Sequence, residues 1–317
     1  MKSAFEGMRV LVTGGAGFIG SNLALRLLKE GARVMVLDNL STGRLENLGG
    51  HLADLDFLRG DICDADLLRK VLDGVEVVFH QAALPSVPRS IEDPLTTEKV
   101  NATGTLVLLL AARDAGVRRV IYASSSSVYG DSPTLPKVED MPADPKSPYA
   151  LSKYAGERHC QLFTKLYGLE TVSLRYFNVF GPRQDPTSHY AAVIPRFIAG
   201  IMTGRGITIF GDGKQTRDFT YVDNVIQANL KAAVAPKASG AVYNVACGKS
   251  ITVLELAEYL MRLLDRKVEI EWAPPRPGEV RDSLASIARA SGDLDYAPEI
   301  SVYDGLKKAV EWYLKTS

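Results

Sequence analysis

The first half of the chain alternates between two spacings of apolar residues. Short, nearly continuous apolar runs recur: MRVLVT, RVMVLD, LDFLRGD, VEVVFHQA, VRRVIYAS and ETVSLRYF. Runs that lack polar alternation predict strands buried on both faces. Between them lie stretches with apolar residues at helical spacing: FIGSNLALRLLKEG, ADLLRKVLDG, TGTLVLLLAARDAG and SPYALSKYAGERHCQLFTKLYG. Gly31 is placed to stop the first of these helices. Strands separated by helices predict an α/β fold, a Rossmann-type doubly wound parallel sheet.

After about residue 178 the pattern loosens. Gly- and Pro-rich loops appear, as in VFGPRQDPTSHY, IFGDGKQTRDF and APPRPGEVRDS, with shorter helical patterns VLELAEYLMRLL and VYDGLKKAVEWYL between them. No repeat or low-complexity linker interrupts the chain. The expected organisation is a Rossmann domain over residues 1–178 and a smaller C-terminal α/β lobe over residues 179–317. Some segments of the second half are expected to return to the first domain. Ligands of such sheets bind in the crevice outside the carboxyl ends of the strands.

Composition narrows the function classes. The chain has 317 residues, of which 46% are hydrophobic and 23% charged, as in an ordinary globular protein. Lys plus Arg and Asp plus Glu are equal at 37 each. That balance gives no electrostatic reason for nucleic acid or an anionic membrane as partner. Cys63, Cys160 and Cys247 stand far apart with no CxxC spacing. They argue against a disulfide framework or a zinc site and for a reducing compartment. No uncharged run approaches the roughly 20 residues of a membrane span, and the start of the chain carries no apolar signal segment, so a cytoplasmic protein is expected. His51, His159 and His189 form no ligand spacing, and His80, at a strand end, reads as a hydrogen-bonded structural histidine; no metal is expected.

The chemistry starts in VLVTGGAGFIGSNLA, which sets Gly14, Gly15, Gly17 and Gly20 between a strand and a helix. Glycine lets the backbone turn tightly and approach a pyrophosphate, and the following helix offers free N–H groups and its positive dipole end. Asp38 ends the next strand, where a carboxylate can bind the adenosine ribose hydroxyls. It would repel a ribose phosphate, and Asn39 rather than Arg follows it, so NAD is favoured over NADP although Arg44 is near. Asp61, in RGDI, is a second strand-end acid that either reaches the adenine or is simply polar. YASSSSVYG puts four hydroxyls at a strand's carboxyl end. Downstream, PKSPYALSK starts a helix with Tyr149 and Lys153 at i and i+4, on one face. There a lysine can stabilise a phenolate, lowering it from its ordinary value of about 10 toward working pH. Each motif alone also fits plain packing; their order along the chain gives them force.

With these motifs in place, the chain resembles the extended short-chain dehydrogenase/reductases, and within them the UDP-hexose 4-epimerases acting on N-acetylglucosamine or glucose. The likeness runs through TGGAGFIGSNL, DNLSTG, ASSSSVYG, SPYALSK, LRYFNVFGPRQDP, YAAVIPRFI, IFGDGKQTRDFTYVDN and RPGEVRDSLA. It implies an NAD site made by Gly14, Gly17, Phe18, Ile19, Gly20, Asp38, Asn39, Ser41, Thr42, Gly43, Asp61 and Ile62, continued by Gln81, Ala82, Ala83, Asn101, Ser124, Tyr176 and Phe177. It implies Ser125 as the active-site serine with Ser126 as a helper, Tyr149 as the base and Lys153 as its electrostatic partner, the latter two also touching the cofactor. Ser86, Asn178, Val193, Phe210, Arg217, Arg276, Glu279 and Ser283 would join Ser125 and Ser126 in holding a UDP-sugar, with Asn178, Arg217 and Arg276 on the diphosphate, Glu279 on the uridine ribose, and Phe210 and Val193 at the uracil. The implied reaction oxidises C4 to a keto group, turns the sugar, and returns the hydride to the other face.

One departure bears on the substrate. Some glucose/galactose-selective members carry a tyrosine where this chain has Ser283, and HQAALPSVPRS resembles members favouring N-acetylhexosamines. The expectation is interconversion of UDP-GlcNAc and UDP-GalNAc, with UDP-Glc and UDP-Gal alongside. A 4,6-dehydratase would need an Asp-Glu pair where Ser126 and Ser127 stand. A UDP-glucuronate 4-epimerase or decarboxylase remains an alternative, because the serines fit it too. A net reductase using NADPH is disfavoured by Asp38, and a non-catalytic scaffold would have no reason to keep Ser125, Tyr149 and Lys153 together. The resemblance also implies a homodimer joined through a four-helix bundle, built from the helices that begin near Thr96 and Tyr149.

Overall fold

The computed structural model describes residues 3–187, 191–275 and 280–316. Six strands of the first half, β1 (Arg9–Thr13), β2 (Arg33–Asp38), β3 (Asp56–Arg59), β4 (Val77–His80), β5 (Arg119–Ser125) and β6 (Glu170–Tyr176), fall inside the six apolar runs or within a residue of them. All pair in parallel, and a seventh strand, Val242–Val245, adds beside β6. The order across the sheet is Val242–Val245, β6, β5, β4, β1, β2, β3. The order reverses between β1 and β4, which pair directly. Loops leaving those two strands therefore part to opposite sides and open a crevice.

Burial on both faces explains the unbroken apolar runs. Leu11, Leu37, Val78 and Tyr122 pack on one side of the sheet, against α2 (Ala65–Val71), α5 (Gly104–Asp114) and α6 (Pro148–Tyr167). Val10, Val12, Val36, Phe79 and Ile121 face the other core. That core is covered by α1 (Phe18–Lys29) and by a helix from the second half, Val222–Val234. Between β4 and α5 the chain makes two short helices, α3 (Val87–Glu92) and α4 (Pro94–Glu98), and a π turn, Lys99–Thr103.

The start of α6 is fixed locally. Ser147 caps it, its Oγ accepting from the Ala150 N–H at 3.1 Å, and Pro148 occupies the first turn. The helix stops at Gly168, which takes the left-handed conformation at φ 72°. Its close seat on β5 depends on Gly156, where a Cβ would lie 2.2 Å from the Tyr122 hydroxyl.

The rest of the second half is built of short pieces. Ile207–Phe210 pairs in parallel with Ile270–Ala273. Two-residue strands Thr216–Arg217 and Ile251–Thr252 pair antiparallel, and Thr220–Tyr221 lies parallel to Val179–Phe180. Residues 222–245 thus serve the central sheet and its cover, while the short strands pair outside that sheet.

Candidate active site

A cleft of about 1240 Å³ opens at the carboxyl ends of β1, β2, β4 and β5. At its head the backbone turns at Gly14, in the left-handed region at φ 66°. A Cβ there would sit 2.7 Å from the Ala82 backbone, so only glycine lets this loop nest against the one after β4. Gly14, Gly17, Phe18, Ile19 and Gly20 line the cleft. The first turn of α1 carries no acidic residue and no side-chain cap, which leaves its amides and dipole available to an anion.

Asp38 sits at the far side of this turn, 7% exposed. One carboxylate oxygen accepts from Ala16 N–H at 2.9 Å and the other from Leu40 N–H at 2.8 Å. Each oxygen keeps a lone pair for a ligand hydroxyl. Asp61 accepts from Asn39 Nδ2 at 2.9 Å and from Cys63 N–H at 2.8 Å. Burial would raise its pKa, but those hydrogen bonds outweigh burial and hold it below the usual value. Asn39, Ser41, Thr42, Gly43 and Ile62 complete this end. A glycine cradle, an unopposed helix N-terminus and an oriented carboxylate at the ribose position together fit a dinucleotide.

Gln81, Ala82, Ala83, Ser86, Ser124 and Tyr176 line the middle of the cleft. Tyr176 hydroxyl and Gln81 Nε2 both meet Asn229 of the helix Val222–Val234, at 3.1 Å each, so the second half braces the floor. Two expected contacts lie one layer deeper. Asn101 is buried and clamps the loop after β4, accepting from Leu84 N–H at 2.7 Å and donating to Leu84 O at 3.1 Å. Phe177 is buried against Tyr129, Ala246 and Ala285. Their carbons and amides shape the wall without lining it. His80 is also structural: its ring nitrogens meet Thr13 Oγ1 at 2.7 Å and Thr105 Oγ1 at 2.9 Å. Burial, with the Lys153 charge beside it, lowers its pKa to about 3, so it stays neutral.

Tyr149 and Lys153 project from α6 into the same cleft. Lys153 is 3% exposed, with Nζ 4.6 Å from the centre of the Tyr122 ring. Burial lowers its pKa to about 7. Burial raises the Tyr149 phenol above its ordinary value, and the Ser125 hydroxyl beside it pulls the other way. Ser125 closes β5 and caps the short turn Ser126–Tyr129. The hydroxyl bonded to Ser125 belongs to Ser127, at 2.9 Å, rather than to the expected helper Ser126. Just behind, Ser124 Oγ donates to Glu157 Oε2 at 3.0 Å, and Glu157 holds Arg175 through both carboxylate oxygens at 2.9 and 2.6 Å.

Apart from Ser86, Ser125 and Ser126, the expected sugar-side residues lie in the second half, and none of those described lines this cleft. Asn178 Nδ2 donates to Asp218 O at 3.1 Å and to Ser283 Oγ at 3.3 Å. Arg217 Nη1 donates to Thr216 O at 2.9 Å and Arg281 O at 2.8 Å. Phe210 ends its strand with the Arg196 guanidinium 6.0 Å from its ring centre. Val193 opens the helix Val193–Thr203, directly after Ala192, which lines the cleft and joins the two sides. Arg276 and Glu279 lie outside the described residues.

Some cleft features were not read from the sequence. Arg44 Nη2 meets Asp185 Oδ2 at 2.6 Å, and Arg183 Nη1 donates to Asn22 Oδ1 at 2.5 Å, so the loop after Phe180 straps onto the cofactor side. Trp312, from the helix Val302–Thr316, also lines the cleft. GPRQDP was the available signal for the strap; nothing local marks Trp312.

Comparisons with known proteins agree with this geometry. The chain is 43% identical over 316 residues to a UDP-glucose 4-epimerase of Mycolicibacterium smegmatis, covering 98% of this chain and 100% of that one. It is 37% identical to a UDP-glucuronate 4-epimerase of Thermodesulfobacterium geofontis, covering 95% of each. Among solved structures, a UDP-N-acetylglucosamine 4-epimerase of Methanobrevibacter ruminantium with UDP-N-acetylmuramic acid superposes with TM-score 0.94 at 40% identity, covering 98% and 100% of the two chains. A UDP-glucose 4-epimerase of Thermotoga maritima with UDP-glucose superposes with TM-score 0.93 at 39% identity, covering 98% and 99%. A Thermus thermophilus UDP-glucose 4-epimerase in complex with NAD superposes with TM-score 0.90 at 36% identity, covering 98% and 100%. The profile described as the NAD dependent epimerase/dehydratase family matches residues 10–246, which span the glycine turn, the serine cluster, the Tyr149–Lys153 helix and the seventh strand. The chain belongs to the NAD dependent epimerase/dehydratase family, and NAD is its cofactor.

Proposed function

We propose that this chain is a UDP-hexose 4-epimerase that interconverts UDP-GlcNAc and UDP-GalNAc and also UDP-Glc and UDP-Gal. The observation that carries the reading is that Tyr149 and Lys153, from the first turns of α6, line the dinucleotide cleft together with Ser124, while Ser125 ends β5 beside the Tyr149 hydroxyl. NAD, when bound, supplies a reversible hydride acceptor at C4 of the sugar and a positive ring beside the phenol. Tyr149 Oη takes the C4 hydroxyl proton and later gives it back. Lys153 in its charged form favours the phenolate, and its seat on the Tyr122 ring fixes where that charge lies. Ser125 hydrogen-bonds the C4 oxygen. Arg217 and Asn178 hold the diphosphate away from the reacting carbon, and that remote grip lets the sugar turn without leaving.

The N-acetyl preference draws support from Ser283, whose hydroxyl reaches Asn178 at 3.3 Å. A small residue there leaves room for an acetamido group. Offering UDP-GlcNAc, UDP-Glc and UDP-glucuronate separately, with products identified by NMR, tests the reading. Turnover of the glucuronate alone would transfer the assignment to the UDP-glucuronate 4-epimerases, as the Thermodesulfobacterium relative suggests. Turnover of only the non-acetylated pair would remove the N-acetyl preference.

A homodimer through α5 and α6 is part of the proposal. These helices pack together and leave Leu110, Leu151, Leu162 and Leu166 exposed. Sedimentation of the wild type and of Leu162→Glu should give a dimer and a monomer.

A further inference from the structure

We propose that Ser127 is a positioning residue, whose hydroxyl fixes Ser125 as a hydroxyl that can only donate. The inference rests on the epimerase reading above. A serine hydroxyl has two acceptor lone pairs and one proton. At Ser125 both lone pairs are taken by one neighbour. The Ser127 N–H donates to Ser125 Oγ at 3.2 Å and the Ser127 hydroxyl donates to it at 2.9 Å. The N–H alone suffices to cap the turn, so the hydroxyl bond is additional to capping. With both lone pairs filled, the Ser125 proton is the free direction, and a bond donated to the neighbouring Tyr149 oxygen favours the phenolate.

The turn that holds Ser127 is well anchored. Val128 and Tyr129 are fully buried, and the Tyr129 hydroxyl donates to Asn244 Oδ1 at 2.7 Å. Arg175 lies over the Tyr129 ring at 4.6 Å. Ser127 therefore has little freedom to swing away from Ser125.

The consequence is a one-way relay. Ser127 donates to Ser125, and Ser125 donates to the Tyr149 oxygen or to a sugar C4 oxygen placed between them. Each donated bond polarises the next. A serine free to rotate could instead accept from a protonated Tyr149, which would favour the neutral phenol and idle the base. Ser127 removes that option from outside the cleft lining.

The test uses the full chain loaded with NAD, as wild type, Ser127→Ala and Ser127→Thr. Alanine keeps the backbone N–H and loses only the hydroxyl; threonine restores a donor. At neutral pH, Ser127→Ala should lose roughly tenfold in kcat, with KM for the UDP-sugar changed by less than about twofold. Activity needs the phenolate, so a raised Tyr149 pKa moves the acidic limb of the pH–rate profile upward by about one unit, and the deficit closes at alkaline pH. Threonine should recover both. A second readout does not depend on turnover: the tyrosinate ultraviolet difference titration of the NAD-loaded protein should show the lowest-titrating tyrosine shifted upward in the alanine variant. Should that variant fail to fold, Ser127→Cys, a weak donor of similar size, carries the same expectations. An unmoved acidic limb and titration in a folded, NAD-loaded alanine variant would overturn the proposal, as would a threonine variant as impaired as alanine. A wild type inactive on every UDP-hexose would instead overturn the epimerase reading, and the titration would still decide the role of Ser127.

Discussion

The cofactor cleft and the region proposed to hold the sugar nucleotide are built by different means. On the cofactor side, Gly14–Gly20, Asp38–Gly43, Asp61–Ile62 and Gln81–Ser86 each follow a parallel strand end within a few residues. Sheet register then sets their mutual positions. The residues proposed to hold the sugar nucleotide, Asn178, Val193, Phe210, Arg217 and Ser283, come instead from loops, strand ends and one helix start. No long ladder aligns them; single polar groups do. Asp218 is the main one, accepting from Cys247 N–H at 2.9 Å, Gly248 N–H at 3.0 Å and Ala285 N–H at 3.2 Å. Burial raises its carboxyl to about 6 even against those three donors. The lesson is a division of labour: the sheet sets the register of the cofactor cleft, while under the proposed function the sugar-binding residues, Ser283 among them, can change one side chain at a time.

Four changes would break or sharpen that division. The largest effect is expected at the chemistry itself. Tyr149→Phe should lower kcat by roughly 100- to 10,000-fold, since it removes the acid–base group, while NADH titration shows cofactor binding intact. On the other side, Arg217→Ala should raise KM for UDP-sugars by roughly 10- to 100-fold, the worth of a charge-assisted hydrogen bond to phosphate, and leave NAD retention as in the wild type. A loss of NAD in that variant would show that the two sides are one cooperative unit.

Lys153→Met separates stability from function. The folded pKa of Lys153 is depressed to about 7. The unfolded chain therefore binds this proton more readily between that value and its ordinary one, and stability rises with pH across the window. At pH 7 the buried lysine costs a few kcal/mol, on the order of 1.4 per pH unit of window. The methionine variant should be inactive, more stable at neutral pH, and flat in urea midpoint between about pH 7 and pH 10. A midpoint as pH-dependent as the wild type's would reject the buried-lysine account. The smallest effect is expected at the strap. Arg44→Ala removes an exposed ion pair worth about 0–1 kcal/mol, so NAD release, read by stopped-flow displacement, should quicken by only about two- to fivefold.

The sequence by itself determined the parallel sheet, the glycine turn, the strand-end acids and the Tyr149–Lys153 face of α6. These are local quantities: apolar runs, glycine spacing, a Ser147–Pro148 cap and the i, i+4 step act within one turn or one strand. It did not show that Val242–Val245 extends the sheet, that Asn229 braces the floor of the cofactor cleft and Trp312 lines it, or that Asn101 and Phe177 stand behind its wall. Nor did it pick Ser127 from four consecutive serines, because adjacent hydroxyls are indistinguishable until the turn Ser126–Tyr129 bends one back onto Ser125. Those facts join residues far apart in the chain or depend on the φ/ψ of one tight turn. Only the packed backbone brings such groups within hydrogen-bond distance and decides which proton points where.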